Sequence, residues 1–339
     1  MWFPLLAIAA DFSGAGATFP YPIYAKWAGR YKLETGKELT YQPIGSSAGI
    51  EAIKARRVTF GASDVPLTAR ALADNGKLTQ WPMVIGGIVP IIHLDGIGPD
   101  QMVLDGDTLA KIFLGTVTFW DDPALQRLNP GLKLPFAPIV TVHRSGGSGT
   151  TFNFTNYLSK VNAEWKEKLG ANAAVAWPAG IEAKGNQGVA EAVQQTKNSI
   201  GYVEAAFAKQ NGLITTKMIN RAGRTVTITS ASVRAAAAHW WWAGLDWEEG
   251  NGLALNIIDQ PGTAAWPIAA PSFILMPVEV TNAREAREAL QFFAWAYARG
   301  DQEAEELNYV PIPQAIKQLV MHFWTTMKGP DGDAVYAAP

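Results

Sequence analysis

Three short glycine-and-hydroxyl segments hold the residues best suited to chemistry: "GAGATF" at 14–19, "GSSAG" at 45–49 and "GGSGTT" at 146–151. Each leads into an apolar-periodic stretch, the arrangement in which a helix start turns unpaired N–H groups and a partial positive charge of about half a unit toward an anion. The third turn adds the hydroxyls of Ser148, Thr150 and Thr151 and follows Arg144, a forked and permanently charged donor. No lysine follows these glycines. Backbone amides, hydroxyls and one guanidinium can hold an anion, but the lysine that steadies a transferring phosphoryl group is missing.

Taken singly, each turn is an ordinary capped helix start. Together with Asp64 in "FGASDVPL" and with Arg144 they point to one shared site, because such turns lie at the carboxyl ends of strands in α/β sheets. Catalytic patterns fail on the same residues. "GAGATF" lacks the third glycine of a dinucleotide loop, no GxxxxGK[ST] occurs, and "GGSGT" lacks the closing glycine of a nucleophile elbow. His93, His143, His239 and His322 are scattered without an HExxH, and His143 draws notice only because it adjoins Arg144. A phosphatase or phosphotransferase built on Asp64 or Ser148 needs a positioned base or a metal cluster, and the sequence offers neither.

The elements that must position these residues follow from length and pattern. A chain of 339 residues with 48% hydrophobic and 17% charged residues predicts two fully cored domains. The formal net charge of −2, with Lys and Arg dispersed, leaves no basic footprint for nucleic acid. The chain has no cysteine, which removes disulfides, thiolate metal sites and the cysteine of a lipid anchor. The opening "MWFPLLAIAA" carries no Lys or Arg and falls far short of the roughly 20 residues of a membrane span; without a basic n-region it reads as a leader remnant, an added start or a frayed terminus.

Along the chain the spacing predicts a helix with Tyr24, Trp27, Ala28 and Tyr31 on one face, stopped by Gly36. A strand at 39–42, a helix at 48–57, a strand at 58–61 and the apolar run "WPMVIGGIVPIIHL", of the kind a buried parallel strand shows, come next. A second α/β unit begins near His93, with a helix at 108–113, the strand "APIVTVHR", a helix at 150–160 and the strand "SIGYVE". "WPIAAPSFILM" predicts a further buried strand and 282–299 a long helix ended by Gly300. The runs at 85–92 and 267–276 are expected to cross between domains, giving a discontinuous first domain of 11–90 plus 270–339 and a second of 91–269. "HWWWAGLDW" at 239–247 reads as packing or a partner surface, since it lacks the basic surround of a base-stacking platform, and "AREAREAL" reads as a charged helix face.

With these residues assembled, the sequence resembles the phosphate-binding proteins of phosphate-specific (Pst) ABC importers. The likeness runs from "GAGATFPYPIYAKW" through "YQPIGSSAGI", "FGASDVPL", "VIGGIVP", "LNPGLKLP", "GSGTTF" and "SIGYVE" to "FFAWAY". It implies a two-domain periplasmic-binding-protein fold, type II-like, each α/β domain a central mainly parallel sheet flanked by helices, joined by a two-strand hinge with the ligand in the cleft. The resemblance also implies a site made of Thr18 and Phe19, Ser46, Asp64, Arg144, Ser148, Gly149 and Thr150. Where family members often have an acid two residues after the arginine, this chain has Gly146. It further implies inorganic phosphate as ligand with no cofactor or metal, no catalytic residue, permease subunits as partners, a monomer, and a soluble periplasmic protein without a lipid anchor.

Asp64 sharpens the expectation. A carboxylate facing an anion repels it unless the anion brings a proton, as phosphate does near neutral pH and sulfate does not. An unpaired buried acceptor costs about 1–3 kcal/mol, more when charged. Competing readings are a receptor for sulfate or molybdate on the same fold, the phosphatase above, and an adhesive surface protein that would leave the three turns unexplained.

Overall fold

The computed structural model of the chain describes residues 10–238, 253, 254 and 256–337. Residues 1–9 and the tryptophan run at 240–242 lie outside the described residues. The amino-terminal part comprises β1 (Phe12–Gly16), α1 (Tyr21–Thr35), β2 (Leu39–Gln42), α2 (Ser46–Lys54), β3 (Phe60–Ser63), α3 (Ala69–Asp74) and β4 (Leu78–His93). A second part follows with β5 (Val103–Leu104), α4 (Gly106–Leu114), α5 (Pro123–Leu128), β6 (Val140–Arg144), α6 (Gly149–Val161), α7 (Ala163–Lys168) and β7 (Ile181–Ala183). It continues through α8 (Gly185–Gln195), β8 (Ser199–Glu204), α9 (Ala205–Gln210), β9 (Ile214–Thr215), β10 (Lys217–Ile219), β11 (Thr225–Val226) and α10 (Ser230–Ala237). The chain closes with β12 (Ala269–Pro277), α11 (Ala283–Arg299), α12 (Asp301–Glu306), β13 (Val310–Pro311) and α13 (Gln314–Trp324).

The main sheet runs β2-β1-β3-β12-β4-β8-β6-β7. Its outer strands pair in parallel, β1 with β2 and β3 on one side and β6 with β7 and β8 on the other. The two central strands do not. β4 runs antiparallel to both β12 and β8, and β12 antiparallel to β3, so the apolar run expected as a parallel strand is a buried antiparallel one and each half is mixed. Burial on both faces produces an unbroken apolar run whichever way the neighbours point, so the pattern carried burial but not direction.

β4 is what joins the halves. Its 16 residues span roughly 50 Å at about 3.3 Å per residue; residues 78–87 pair with β12 and residues 88–93 with β8. Each half has its own aromatic packing. Phe293 packs edge-on against Phe60 and Trp81, which meets Trp324, in the first. Phe113, Phe154 and Tyr202 pack together in the second, with Phe154 and Tyr202 stacked at 4.1 Å.

Helix starts fall where the turns predicted them. α2 begins at Ser46, right after Gly45, two residues earlier than the spacing predicted, and α6 begins at Gly149 with Ser148 as its cap. Gly36 ends α1 in the left-handed conformation, as expected of a helix-stop glycine.

At the middle of β4, Gly86 leaves room for the Phe19 ring: a Cβ there would lie 2.6 Å from Phe19 Cζ and 3.2 Å from Tyr309 Cδ1. Gly86→Ala is therefore expected to lower stability by about 1–3 kcal/mol, since both neighbours are ring atoms in a filled core. Chemical denaturation checks this, and an unchanged midpoint would contradict the packing described.

Candidate functional site

The structure brings the eight expected residues to one buried place, Asp64 as an acceptor among donors, and gives Ser148 a partly different task. Thr18, Phe19, Ser46, Asp64, Arg144, Ser148 and Thr150 are all buried, Thr18 the most open at 6%. Contact between the halves is direct. A Cβ on Gly149 would lie 2.4 Å from Ser46 Oγ and 2.7 Å from Asp64 Oδ2, so only glycine lets the start of α6 approach the start of α2 and the end of β3. Asn153 Nδ2 donates to the Asp64 carbonyl at 2.7 Å and Ser47 N–H to the Gly147 carbonyl at 3.3 Å.

Within this contact several donors have nowhere to go. No described residue accepts from the backbone N–H groups of Phe19, Ser46, Gly149 or Thr150. Arg144 Nη1 donates to Thr150 Oγ1 at 3.3 Å, while its Nε is buried without a partner. Burial lowers the Arg144 pKa from its ordinary value, opposed by Tyr202 and Asp64, but a guanidinium keeps its charge at neutral pH. Among the described residues no carboxylate lies within ion-pair distance of it. Buried donors that fold without acceptors cost about 1–3 kcal/mol each, so a cluster of them marks a place where an anion belongs.

Asp64 sits opposite these donors. Ser272 Oγ donates to its Oδ1 at 2.7 Å, and Ser46 Oγ accepts from its N–H at 3.2 Å and reaches Oδ2 only at 3.5 Å. Oδ1 is thereby occupied and Oδ2 left weakly bound on the side facing Gly149. Burial pushes the Asp64 carboxyl up to about 7, against the pull of Ser272, of the Arg144 charge and of Ser46.

Ser148 caps α6. Its backbone N–H is spent on Ala173 and its Oγ accepts from Thr151 N–H, so only its hydroxyl hydrogen remains for a ligand. Thr151, one of the three hydroxyls of the third turn, turns away from the site: its Oγ1 meets Tyr202 Oη at 2.7 Å. One helical residue further round, the side chain points to the core rather than to the turn's mouth. His143 is not a base for the site either. Alternation along β6 sends its side chain to the opposite face from Arg144, where it stacks on Trp177 at 4.8 Å and burial lowers its pKa.

Two residues were missed. Asn186 is fully buried, and its Nδ2 donates to Thr18 Oγ1 at 3.2 Å and reaches Thr150 Oγ1 at 3.5 Å, bridging the first and third turns. It opens α8 from "AKGNQGV", a fourth glycine-and-polar helix start of the kind that marked the others. Ser272 carried no local signal, since a lone serine within an apolar strand shows nothing of its contact with Asp64, 208 residues away. Gly146 lies at φ 68°, a left-handed conformation that favours glycine, beside a cavity of ≈ 300 Å³ lined also by Thr18, Ile44, Arg144 and Lys184.

A two-half α/β fold bridged by long central strands, with buried unpartnered donors between the halves, is the arrangement of a substrate-binding protein, and residues 7–299 match the family model described as the PBP superfamily domain. The chain is 47% identical over 320 residues to the phosphate-binding protein PstS of Haemophilus influenzae, covering 94% of each chain, and 45% identical over 335 residues to that of Pasteurella multocida, covering 98% of this chain and 96% of that one. In fold it resembles the crystal structure of a phosphate-binding protein from Stenotrophomonas maltophilia, at a TM-score of 0.68 and 19% identity over 92% of this chain and 93% of that one. The chain belongs to the PBP superfamily and, within it, to the PstS family of phosphate-binding proteins. Among the described residues no helix is long and apolar enough to cross a membrane.

The raised Asp64 value has a stability consequence. Its folded value, about 7, lies above the ordinary carboxyl value near 4, so folding penalises the ionised form. The penalty is absent below about pH 4, grows between about 4 and 7, and is complete above that. In ligand-free protein, Asp64→Asn is expected to gain stability relative to the parent as pH rises through this window, by on the order of 1 kcal/mol per pH unit. Urea denaturation of both proteins at several pH values checks it; a gap that stays constant would show that Asp64 is not held protonated.

Proposed function

We propose that this chain binds one inorganic phosphate between its halves and delivers it unchanged to the membrane permease subunits of an ABC importer. The carrying observation is the buried Asp64 carboxyl, with Oδ2 weakly bound, facing unpartnered N–H donors and the Arg144 guanidinium. Phe19, Ser46, Gly149 and Thr150 donate backbone N–H groups, and Thr18, Ser148 and Thr150 donate hydroxyls. Arg144 supplies the charge. Asp64 Oδ2 meets the one oxygen of phosphate that still carries a proton.

The ligand acts alone, without a metal or cofactor, and no residue performs chemistry on it. His143 on the far face of β6, stacked on Trp177, supports a carrier over a phosphatase that would use it as a base. On this reading the protein works as a monomer in the periplasm, free of a lipid anchor. Its two domains, 11–90 plus 270–339 and 91–269, close on phosphate about the β4 and β12 crossing.

Calorimetric titration of ligand-stripped protein near pH 8 is expected to give one-to-one phosphate binding with no sulfate heat. Asp64→Asn, whose amide can donate to either anion, should reduce the preference for phosphate over sulfate at least tenfold, about 1.4 kcal/mol, within the cost of an unpaired buried acceptor. Lowering the pH below about 7 should narrow the parent's preference in the same direction, because a protonated Asp64 can itself donate to sulfate. Equal selectivity in parent and variant would sink the role given to Asp64, and sulfate heat in the parent at about pH 8 would sink the phosphate assignment itself. Small-angle scattering tests closure separately: the radius should fall on adding phosphate, and an unchanged radius would contradict it.

A further inference from the structure

Glu204, at the end of β8, is fully buried and takes no part in the site as described. Both its backbone and its side chain lead back to the same dipeptide of that site. Its N–H donates to Asn186 Oδ1 at 3.4 Å, and Asn186 Nδ2 donates in turn to Thr18 Oγ1. Its Oε2 lies 2.8 Å from Tyr309 Oη, which lies 2.7 Å from the carbonyl oxygen of Phe19. Thr18 is thus tied to the opposite half through its hydroxyl and Asn186, and the Phe19 backbone through Tyr309 of its own half, whose hydroxyl meets Glu204.

We propose that Glu204 is a positioning residue for phosphate binding: acting through Tyr309, it fixes the backbone of the Phe19 turn so that the Phe19 N–H points into the site. The inference rests on the phosphate-carrier reading above. Hydrogen counting sets the direction of the chain. Tyr309 has one hydroxyl hydrogen and two neighbouring oxygens, and the Phe19 carbonyl can only accept. Tyr309 therefore donates to Phe19, and the other contact needs a hydrogen from Glu204, whose hydroxyl oxygen can at the same time accept from Ala206 N–H at 2.9 Å.

The surroundings agree. Oε1 of Glu204 is buried without a partner, which a neutral carbonyl tolerates far better than an ionised oxygen would. Burial raises the carboxyl well above its ordinary value; Ala206 N–H and Phe207 N–H oppose the rise, and the Asp64 charge adds to it. The route also passes the crossing strand: Ile88 of β4 is the register partner of Glu204, and Gly86, two residues back, seats the Phe19 and Tyr309 rings. The turn is therefore oriented relative to the strand that joins the halves.

The test compares Tyr309→Phe, Glu204→Leu, Glu204→Gln and the Tyr309→Phe/Glu204→Leu double variant in phosphate calorimetry. Tyr309→Phe and Glu204→Leu should each lose about tenfold in affinity, and the double variant no more than the weaker single, because both cut one chain. Glu204→Gln should bind between the Leu variant and the parent, because its amide N–H still donates to Tyr309 Oη while the amide nitrogen, unlike the carboxyl oxygen it replaces, cannot also accept from Ala206 N–H. Parental affinity in Tyr309→Phe, a Gln variant as weak as the Leu variant, or losses that multiply in the double variant would each overturn the proposal. Amide exchange in ligand-free protein reads the tie without phosphate: exchange at Phe19 and Tyr21 should quicken in Tyr309→Phe and Glu204→Leu and less in Glu204→Gln. Unchanged exchange in the first two overturns the tie, whereas a parent that binds no phosphate while exchange behaves as expected overturns only the carrier reading.

Discussion

A buried donor must have an acceptor, and here that requirement governs the whole molecule. Unpartnered N–H groups of Phe19 and Ser46 from one half, and of Gly149 and Thr150 from the other, lie with the Arg144 Nε among buried residues. Left empty, such a cluster is expensive; filled by a compact anion, it is satisfied from every side at once. Glycines precede the helices so that backbone can approach the ligand directly, and Gly149 is small enough for the two halves to touch. Fixed amides hold an anion without the reach or the chemistry of a lysine.

The requirement also explains the architecture of the centre. Donors from two halves can meet only if something spans both, and β4, paired with β12 along one part and β8 along the other, does so with continuous ladders. Antiparallel pairing lets one strand leave a half and another return beside it within a single sheet, which parallel strands cannot do without a long crossover. Ser272 shows how closely site and crossing are joined. It lies on β12 at the register shift next to Phe273, and the irregularity accompanies the turn of its hydroxyl onto Asp64.

Legibility in the sequence followed the range of the interaction. Elements set by local pattern were readable: β2 and β8 fall on the residues their apolar alternation predicted, and α6 and α11 differ from expectation by one residue at their ends. The glycine turns were readable because a helix start on a glycine is a local event. Strand direction along β4 was not, since burial on both faces produces the same composition in either orientation. Asn186 was within reach of the same turn signal and was passed over, whereas Ser272, Glu204 and Tyr309 act only through partners brought near by the completed fold. Thr151 was over-read for a related reason: its type suits the site, but its place on the helix turns it to Tyr202.

On the phosphate-carrier reading proposed above, selectivity and closure are one event. Asp64 belongs to the first half, and the helix start with Gly149 and Asn153 that packs against it, and the arginine whose charge reaches it, belong to the second. While the halves are apart, water can satisfy Asp64 and any anion near it, and a missing proton costs nothing. Bringing Gly149 against Ser46 and Asp64 removes that water, and only then does an oxygen facing Oδ2 without a hydrogen become a buried repulsion. The carboxyl value near 7 sharpens this further, because phosphate and Asp64 then hold their protons with similar strength and share one at little cost. On the proposed reading, an ionised anion with no proton would find the cleft open to it but closure opposed, and discrimination would be exercised on the closing step rather than on first contact.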